Sequence, residues 1–261
     1  MNEQQGQIVA GILGQWASGK STGSGALVNH LGGEGEVIFI DDRAMLAGQA
    51  VKHILELDKD QVKVTIEEDG RQRFEGEYAT VFLNPGEDLK TVDLSQLLFD
   101  LHEEDQAQDL SAWCTWFYAV RDALGVQIRE RSAEGKPIVI EAGFGTNTEP
   151  KGENPFCHTI ADLFIRLENK GVRPNDIKWI IVEASYETRS ERNRKRADTV
   201  PAFEFDRFAA DGGDLVTDQE RRLIDQGTSI RRVPNEHNDV EKFKADVIAA
   251  FEELFQRQVA E

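Results

Sequence analysis

Eight consecutive residues carry the strongest chemical signal in the chain: Gly14-Gln15-Trp16-Ala17-Ser18-Gly19-Lys20-Ser21, followed by Thr22. They fill every fixed position of the pattern G-x-x-x-x-G-K-[ST], in which glycines let a loop turn its backbone N–H groups inward onto phosphate oxygens. Lys20 would reach the β- and γ-phosphates of a nucleotide such as ATP, and the Ser21 hydroxyl would ligate Mg²⁺. The pattern needs a strand before it and a helix after it. Ile8-Val9-Ala10-Gly11-Ile12-Leu13 is an apolar run of strand length, and Ser21 to Leu31 can continue as a helix whose N-terminus adds partial positive charge at the phosphates. A glycine-rich turn that happens to contain Lys-Ser is the alternative, and the agreement of motif and flanks speaks against it.

Moving a phosphoryl group needs more than a cradle: a base for the acceptor, an acid beside the metal, and cations for the developing charge. Asp41 and Asp42 close a second apolar run, Val37-Ile38-Phe39-Ile40, where either carboxylate could take the proton of an acceptor hydroxyl. Arg43 follows and would hold an anionic group of that acceptor or pair with an aspartate. An aspartate capping the next helix is the competing reading. Glu141, at the end of Ile138-Val139-Ile140 and before the small pair Ala142-Gly143, fits the acidic position that orients a Mg²⁺ water. Farther on, Arg189, Arg192, Arg194, Lys195 and Arg196 place five cations within eight positions of an otherwise acidic chain. On a helix Arg189, Arg192 and Arg196 share one face, able to close over phosphates or, equally well, to pair with Glu187 and Glu191 in solvent. The stretch from Asp198 to Asp214, with Asp211-Gly212-Gly213-Asp214, reads as a lid.

These groups need a scaffold, and the rest of the sequence supplies one. Apolar runs at residues 8–13, 37–40, 138–140, 179–182 and, more weakly, 229–233 alternate with helical spacing, the last helix running from Asp239 to Arg257. Buried strands alternating with helices predict an α/β fold, a three-layer sandwich around a parallel sheet. Residues 1–45 and 136–261 would form that core. Between them, residues 46–135 read as an inserted β-hairpin and helical cap: Val62 to Ile66, the turn Asp69-Gly70, a return strand from Phe74 to Leu83, then two helices within Leu94 to Arg131. The insert would bind the acceptor near the carboxyl edge of the sheet, or serve as structural elaboration or a homodimer surface. Trp113, Trp116, Phe117 and Val120 make an aromatic stripe at helical spacing, which favours core over a base-stacking platform. The five histidines show no metal-ligand spacing.

The 261 residues carry 48 acidic and 30 basic side chains, a formal net charge of −18. A polyanionic backbone is a poor partner for such a surface, so nucleic acid is disfavoured. Two cysteines, Cys114 and Cys157, build no disulfide framework, and the N-terminus lacks a basic then apolar leader, so a cytoplasmic location is expected. No apolar run approaches the ~20 residues that span a bilayer, so no membrane association is expected.

Taken together, the phosphate loop, Phe39-Ile40-Asp41-Asp42-Arg43, Ile140-Glu141-Ala142-Gly143, the Arg-rich helix, and a last strand leading through Pro234-Asn235-Glu236-His237-Asn238 to a terminal helix resemble the P-loop small-molecule kinases. That group includes dephospho-coenzyme A kinase, uridine kinase, phosphoribulokinase and polynucleotide 5′-hydroxyl kinases. The resemblance covers residues 6–45 and 136–258 and implies a P-loop NTPase sandwich. It implies Asp41 or Asp42 as acceptor base, Glu141 as the Mg²⁺-linked acid, Arg192 and Arg196 as lid arginines, and the Asn235 to Asn238 loop beside adenine. The expected activity is transfer of the γ-phosphate of ATP to a hydroxyl of a small, anionic metabolite. A regulatory nucleotide switch whose insert binds a protein partner, and a nucleic-acid 5′-hydroxyl kinase, are the alternatives.

Overall fold

A computed structural model of the chain describes residues 7–15, 17–101, 110–143, 160–195, 227–236 and 239–259. Its centre is a five-stranded parallel sheet in the order β2-β7-β1-β8-β9, formed by β1 (Val9–Gly14), β2 (Ile38–Asp41), β7 (Ile138–Gly143), β8 (Lys178–Glu183) and β9 (Ile230–Pro234). Every strand read from the apolar runs is present. Residues alternate between two cores. Ala10 and Ile12 face α1 (Lys20–His30) and the terminal helix α6 (Val240–Val259), with Leu27, Phe243, Val247 and Phe251 buried there. Leu13 and Trp179 face the other layer, built by α3 (Leu110–Arg131) and α4 (Ile160–Asn169) through Leu124, Ile128, Phe164 and Leu167. Both faces are therefore covered, which is why these strands are continuously apolar. The Trp179 ring lies directly over Gly11 of the neighbouring strand, where a Cβ would come within 2.1 Å of it. Its indole N–H donates to the Pro174 carbonyl at 3.0 Å. Glycine at position 11 is thus what lets the largest side chain of the sheet lie flat.

Between β2 and β7 the chain leaves the core through α2 (Asp42–Glu56) and builds a second sheet, antiparallel, in the order β3-β4-β5-β6. The hairpin expected around Asp69-Gly70 is there as β3 (Lys63–Ile66) and β4 (Gln72–Glu75). Two expectations change. The run from Phe74 to Leu83 is not one strand: the Gly76 N–H donates to the Ala79 carbonyl at 2.9 Å, turning the chain so that β5 (Ala79–Leu83) pairs back on β4. In the described part of Leu94 to Arg131 there is one helix, α3, and the described residues before it are not helical; residues 102–109, where part of the two-helix expectation falls, lie outside the described residues. Asp88 and Asp93 accept the backbone N–H groups of Lys90 and Ser95 in local turns that compete with a helix, and Leu98–Leu101 becomes β6 on the edge of β5.

One face of this cap sheet packs on α2, where Ala47, Ala50, Val51 and Ile54 meet Ala79, Val81 and Leu83. Trp116 and Phe117 lean against the same cluster and Val120 is buried, so this part of the aromatic stripe is core; the Trp113 side chain lies outside the described residues. The α2 helix thus serves both sheets, since it also packs against β7. The seam between α3 and α4 carries charge: Arg121 donates to Asp162 at 2.6 Å, while Arg166 reaches Asp162 at 3.1 Å and Asp122 at 3.3 Å. Among the described residues no helix is long and apolar enough to cross a membrane.

Candidate active site

Parallel pairing brings the chemistry to one edge. Asp41 is in register with Glu141, and Glu141 with Ile12, so the carboxyl ends of β2 and β7 flank the loop that leaves β1. In that loop the Ser18 N–H donates to the Gln15 carbonyl at 3.2 Å, Ala17 has φ 57°, and Gly19 has φ 101° as the N-cap of α1. Position 19 requires glycine for a second reason, because a Cβ there would lie 2.2 Å from the Asn235 Nδ2. The first turn of α1 contains no acidic residue, so its partial positive charge has no counter-charge within the helix. Gln15 and Ser18 are buried, and Ser18 Oγ has no hydrogen-bond partner among the described residues. Trp16 lies outside the described residues. Thr22 follows on α1, its N–H donating to the Gly19 carbonyl at 3.1 Å.

Glu141 ties β7 to the first helix. Only 4% exposed, it accepts the Ser21 hydroxyl on Oε1 and the Ser24 hydroxyl on Oε2, each at 2.5 Å. Ser24 was not singled out in the sequence, although it stands three residues from Ser21 and so on the same helix face. Ser21 and Glu141 present a hydroxyl and a carboxylate side by side, hard oxygen donors of the kind Mg²⁺ takes, so the residues fit that ion. Among the described residues no cluster of three or more His, Cys, Asp or Glu could hold a metal without help. Mg²⁺ sites that borrow ligands from substrate phosphates have this sparse character.

The two aspartates divide their roles. Asp41 caps α2, its Oδ1 accepting the Arg43 N–H at 2.9 Å, which is the competing reading of that residue. Burial, and then the nearby Glu141 charge, hold its pKa above the ordinary value. Asp42 accepts the Gly143 N–H on Oδ2 at 2.5 Å, across from β7. Burial pushes its pKa from 3.8 to about 6, against the pull of Lys20. A methyl group placed on Gly143 would lie 3.5 Å from Asp42 Oδ2 and 4.0 Å from Lys20 Nζ, so carboxylate and ammonium border the same point. Arg43 turns away toward the cap: its guanidinium donates to the carbonyls of Ser95 at 3.1 Å and Leu97 at 3.0 Å, over the Phe99 ring.

On the opposite side of the loop stands α5 (Tyr186–Lys195). The arginines expected on one face separate by depth. Arg189 is fully buried, its Nε donating to the Ala184 carbonyl at 3.0 Å, and burial lowers its pKa. Arg192 reaches the phosphate loop, donating to the Ser18 carbonyl and to Asn235 Oδ1, both at 3.3 Å. Asn235 completes the triangle, its Nδ2 donating to the same Ser18 carbonyl at 2.7 Å while its backbone N–H donates to the Glu183 carbonyl at 2.6 Å. The Asn235 side chain therefore points at the phosphate loop. Glu236, next in sequence, binds the start of α5 through Ser185 and Thr188; burial opposes its ionisation, but those hydroxyls and the Ser185 N–H keep its pKa below the ordinary value. Arg196, the segment from Asp198 to Asp214, His237 and Asn238 lie outside the described residues.

No protein-family model matches the chain, and no curated protein matches it in sequence. Among solved structures it is similar to an unliganded sugar kinase from Janibacter sp. HTCC2649, at 12% identity over 94% of this chain and 95% of that one, with a TM-score of 0.48. It is also similar to thymidylate kinase from Ehrlichia chaffeensis, at 14% identity over 94% of this chain and 98% of that one, with a TM-score of 0.42.

Proposed function

We propose that the protein is an ATP- and Mg²⁺-dependent phosphotransferase that moves the γ-phosphoryl group to a hydroxyl of a small, anionic metabolite. The observation that carries this reading is Asp42: a carboxyl whose pKa burial raises to about 6, held by the Gly143 N–H and bordering the same point as the phosphate-loop lysine. A base tuned close to working pH, within reach of the transferring group, suits proton removal from an alcohol. A switch has no need of one.

In this reading the exposed α1 N-terminus and the loop N–H groups bind the phosphates, and Lys20 stabilises charge on the transferring group. Asp42 accepts the acceptor's hydroxyl proton as that oxygen bonds to the γ-phosphorus and the bond to the bridging oxygen of ADP breaks. Ser21 and Glu141 would hold Mg²⁺, which would supply further neutralisation of the phosphate charge. Asp41 fixes the start of α2 so that Asp42 is presented correctly. Arg43 ties that start to the cap through the Ser95 and Leu97 carbonyls. Arg192 and Asn235 brace the loop from the other side.

The test is phosphorylation of a metabolite pool with labelled ATP, products read by mass, with wild type and Asp42→Asn run side by side. Wild type should give one dominant labelled product that the variant fails to make. ATP hydrolysis without any phosphorylated metabolite, accelerated by a protein partner, would replace this reading with the switch.

A further inference from the structure

The cap sheet ends on one side at β3, which among the described residues has no strand beyond it. Two adjacent same-face residues of that strand, Val64 and Ile66, are 56% and 74% exposed, while the other large exposed apolar side chains lie singly on separate elements. We infer that β3 pairs antiparallel with β3 of a second copy of this chain, on a two-fold axis passing beside Thr65, joining two four-stranded sheets into one of eight.

The register follows from hydrogen-bond alternation. The Glu67 N–H donates to the Arg71 carbonyl at 2.9 Å, which makes that pair a hydrogen-bonded one. Successive pairs of an antiparallel ladder alternate, so Thr65–Arg73 and Lys63–Glu75 are hydrogen-bonded too. The backbone groups of Lys63, Thr65 and Glu67 are thus used inside the hairpin, and those of Val64 and Ile66 point outward. Only registers that set outward residues opposite each other can form. Centring on Thr65 places Val64 against the partner's Ile66 and Lys63 against the partner's Glu67, each twice by symmetry. Centring on Ile66 instead sets Val64 against the partner's Glu68, and centring on Val64 leaves Lys63 facing the partner's Thr65. One register therefore matches apolar to apolar and cation to anion, as an isologous interface requires.

An edge lysine normally discourages strand addition by other proteins. Here that lysine is answered by a glutamate at the self-complementary position, so the same residue repels foreign strands and admits its own copy. The present neighbours do not compete strongly: Lys63 and Glu75 are 4.0 Å apart and Arg73 and Glu67 3.9 Å apart, in partly exposed pairs. The contact is small beside a standard interface of ~1,600 Å², so the dimer is concentration-dependent.

Sedimentation equilibrium across protein concentration should show monomer passing to dimer. Ile66→Lys should weaken association at least tenfold without altering the circular dichroism spectrum, since that side chain contributes little to the core. Lys63→Glu should weaken it, and adding Glu67→Lys to the same chain should restore it. Under mild oxidation Thr65→Cys should form a disulfide-linked dimer above the wild-type background from Cys114 and Cys157, and Gln72→Cys on the neighbouring strand should not. A monomer mass up to ~0.5 mM with no Thr65→Cys cross-link, or a dimer indifferent to Ile66→Lys, overturns the inference.

Discussion

Two acid-rich regions lie a short stretch of chain apart and behave in opposite ways. At the carboxyl edge of the parallel sheet, burial raises Asp42 to about 6, and Glu141, 4% exposed, takes two 2.5 Å hydrogen bonds from serines. At the tip of the cap, Asp69 has its pKa lowered, because the backbone N–H and guanidinium of Arg71 donate to a carboxylate that stays in water. The residue type is the same, and depth sets its chemistry. A count of acidic residues in the sequence does not distinguish the two kinds, because both enter the −18 net charge alike.

The sharpest way to break this contrast is at its cationic partner. Lys20→Ala should leave the fold intact and lower turnover by at least about a hundredfold, on the order of 3 kcal/mol of transition-state stabilisation, measured as kcat with saturating ATP. Near-normal turnover would mean that the loop is not the catalytic cradle.

Asp42→Asn comes next and tests the buried acid in two ways. Transfer should fall at least about tenfold, and the acid limb expected of wild type near pH 6, from a base whose pKa is raised to about 6, should be absent from the variant. Stability should move the other way. A carboxyl whose folded pKa is raised favours the folded state below its unfolded value and loses that contribution as pH climbs through about 6. The asparagine variant should accordingly be more stable than wild type at pH 8, by at most about 3 kcal/mol, with the advantage shrinking toward pH 5. Urea denaturation at both pH values decides it.

Ser24→Ala removes one of the two hydroxyls holding Glu141 and leaves a buried carboxylate oxygen without its donor. A loss of about 1–3 kcal/mol in unfolding free energy is expected, together with weaker Mg²⁺ dependence of nucleotide binding by titration. Asn235→Ala should be milder, raising the KM for ATP several-fold with about 1 kcal/mol less stability, since Arg192 still reaches the Ser18 carbonyl. The smallest effect belongs to the cap: Glu67→Gln breaks only a partly exposed 3.9 Å pair and should change unfolding free energy by less than about 0.5 kcal/mol at low protein concentration.

Local pattern determined a good deal of this protein. The strand, loop and helix around Gly14 to Ser21, the five apolar strands and the terminal helix follow from periodicity and turn chemistry, each decided within about ten residues of chain. The hairpin at Asp69-Gly70 is local in the same sense. Where those elements go was not legible. The order β2-β7-β1-β8-β9 sets Asp41, Glu141 and the loop at one edge through pairings that span about a hundred residues, and no short window contains them. The same holds for β6, whose strand form is fixed by pairing with β5 rather than by its own sequence. The division between Asp41 as a helix cap and Asp42 as a buried acid, and between Arg189 sealed in the core and Arg192 on the loop, needed tertiary structure for one physical reason: desolvation and distant partners determine what an ionisable group can do, and neither is a property of its neighbours in sequence.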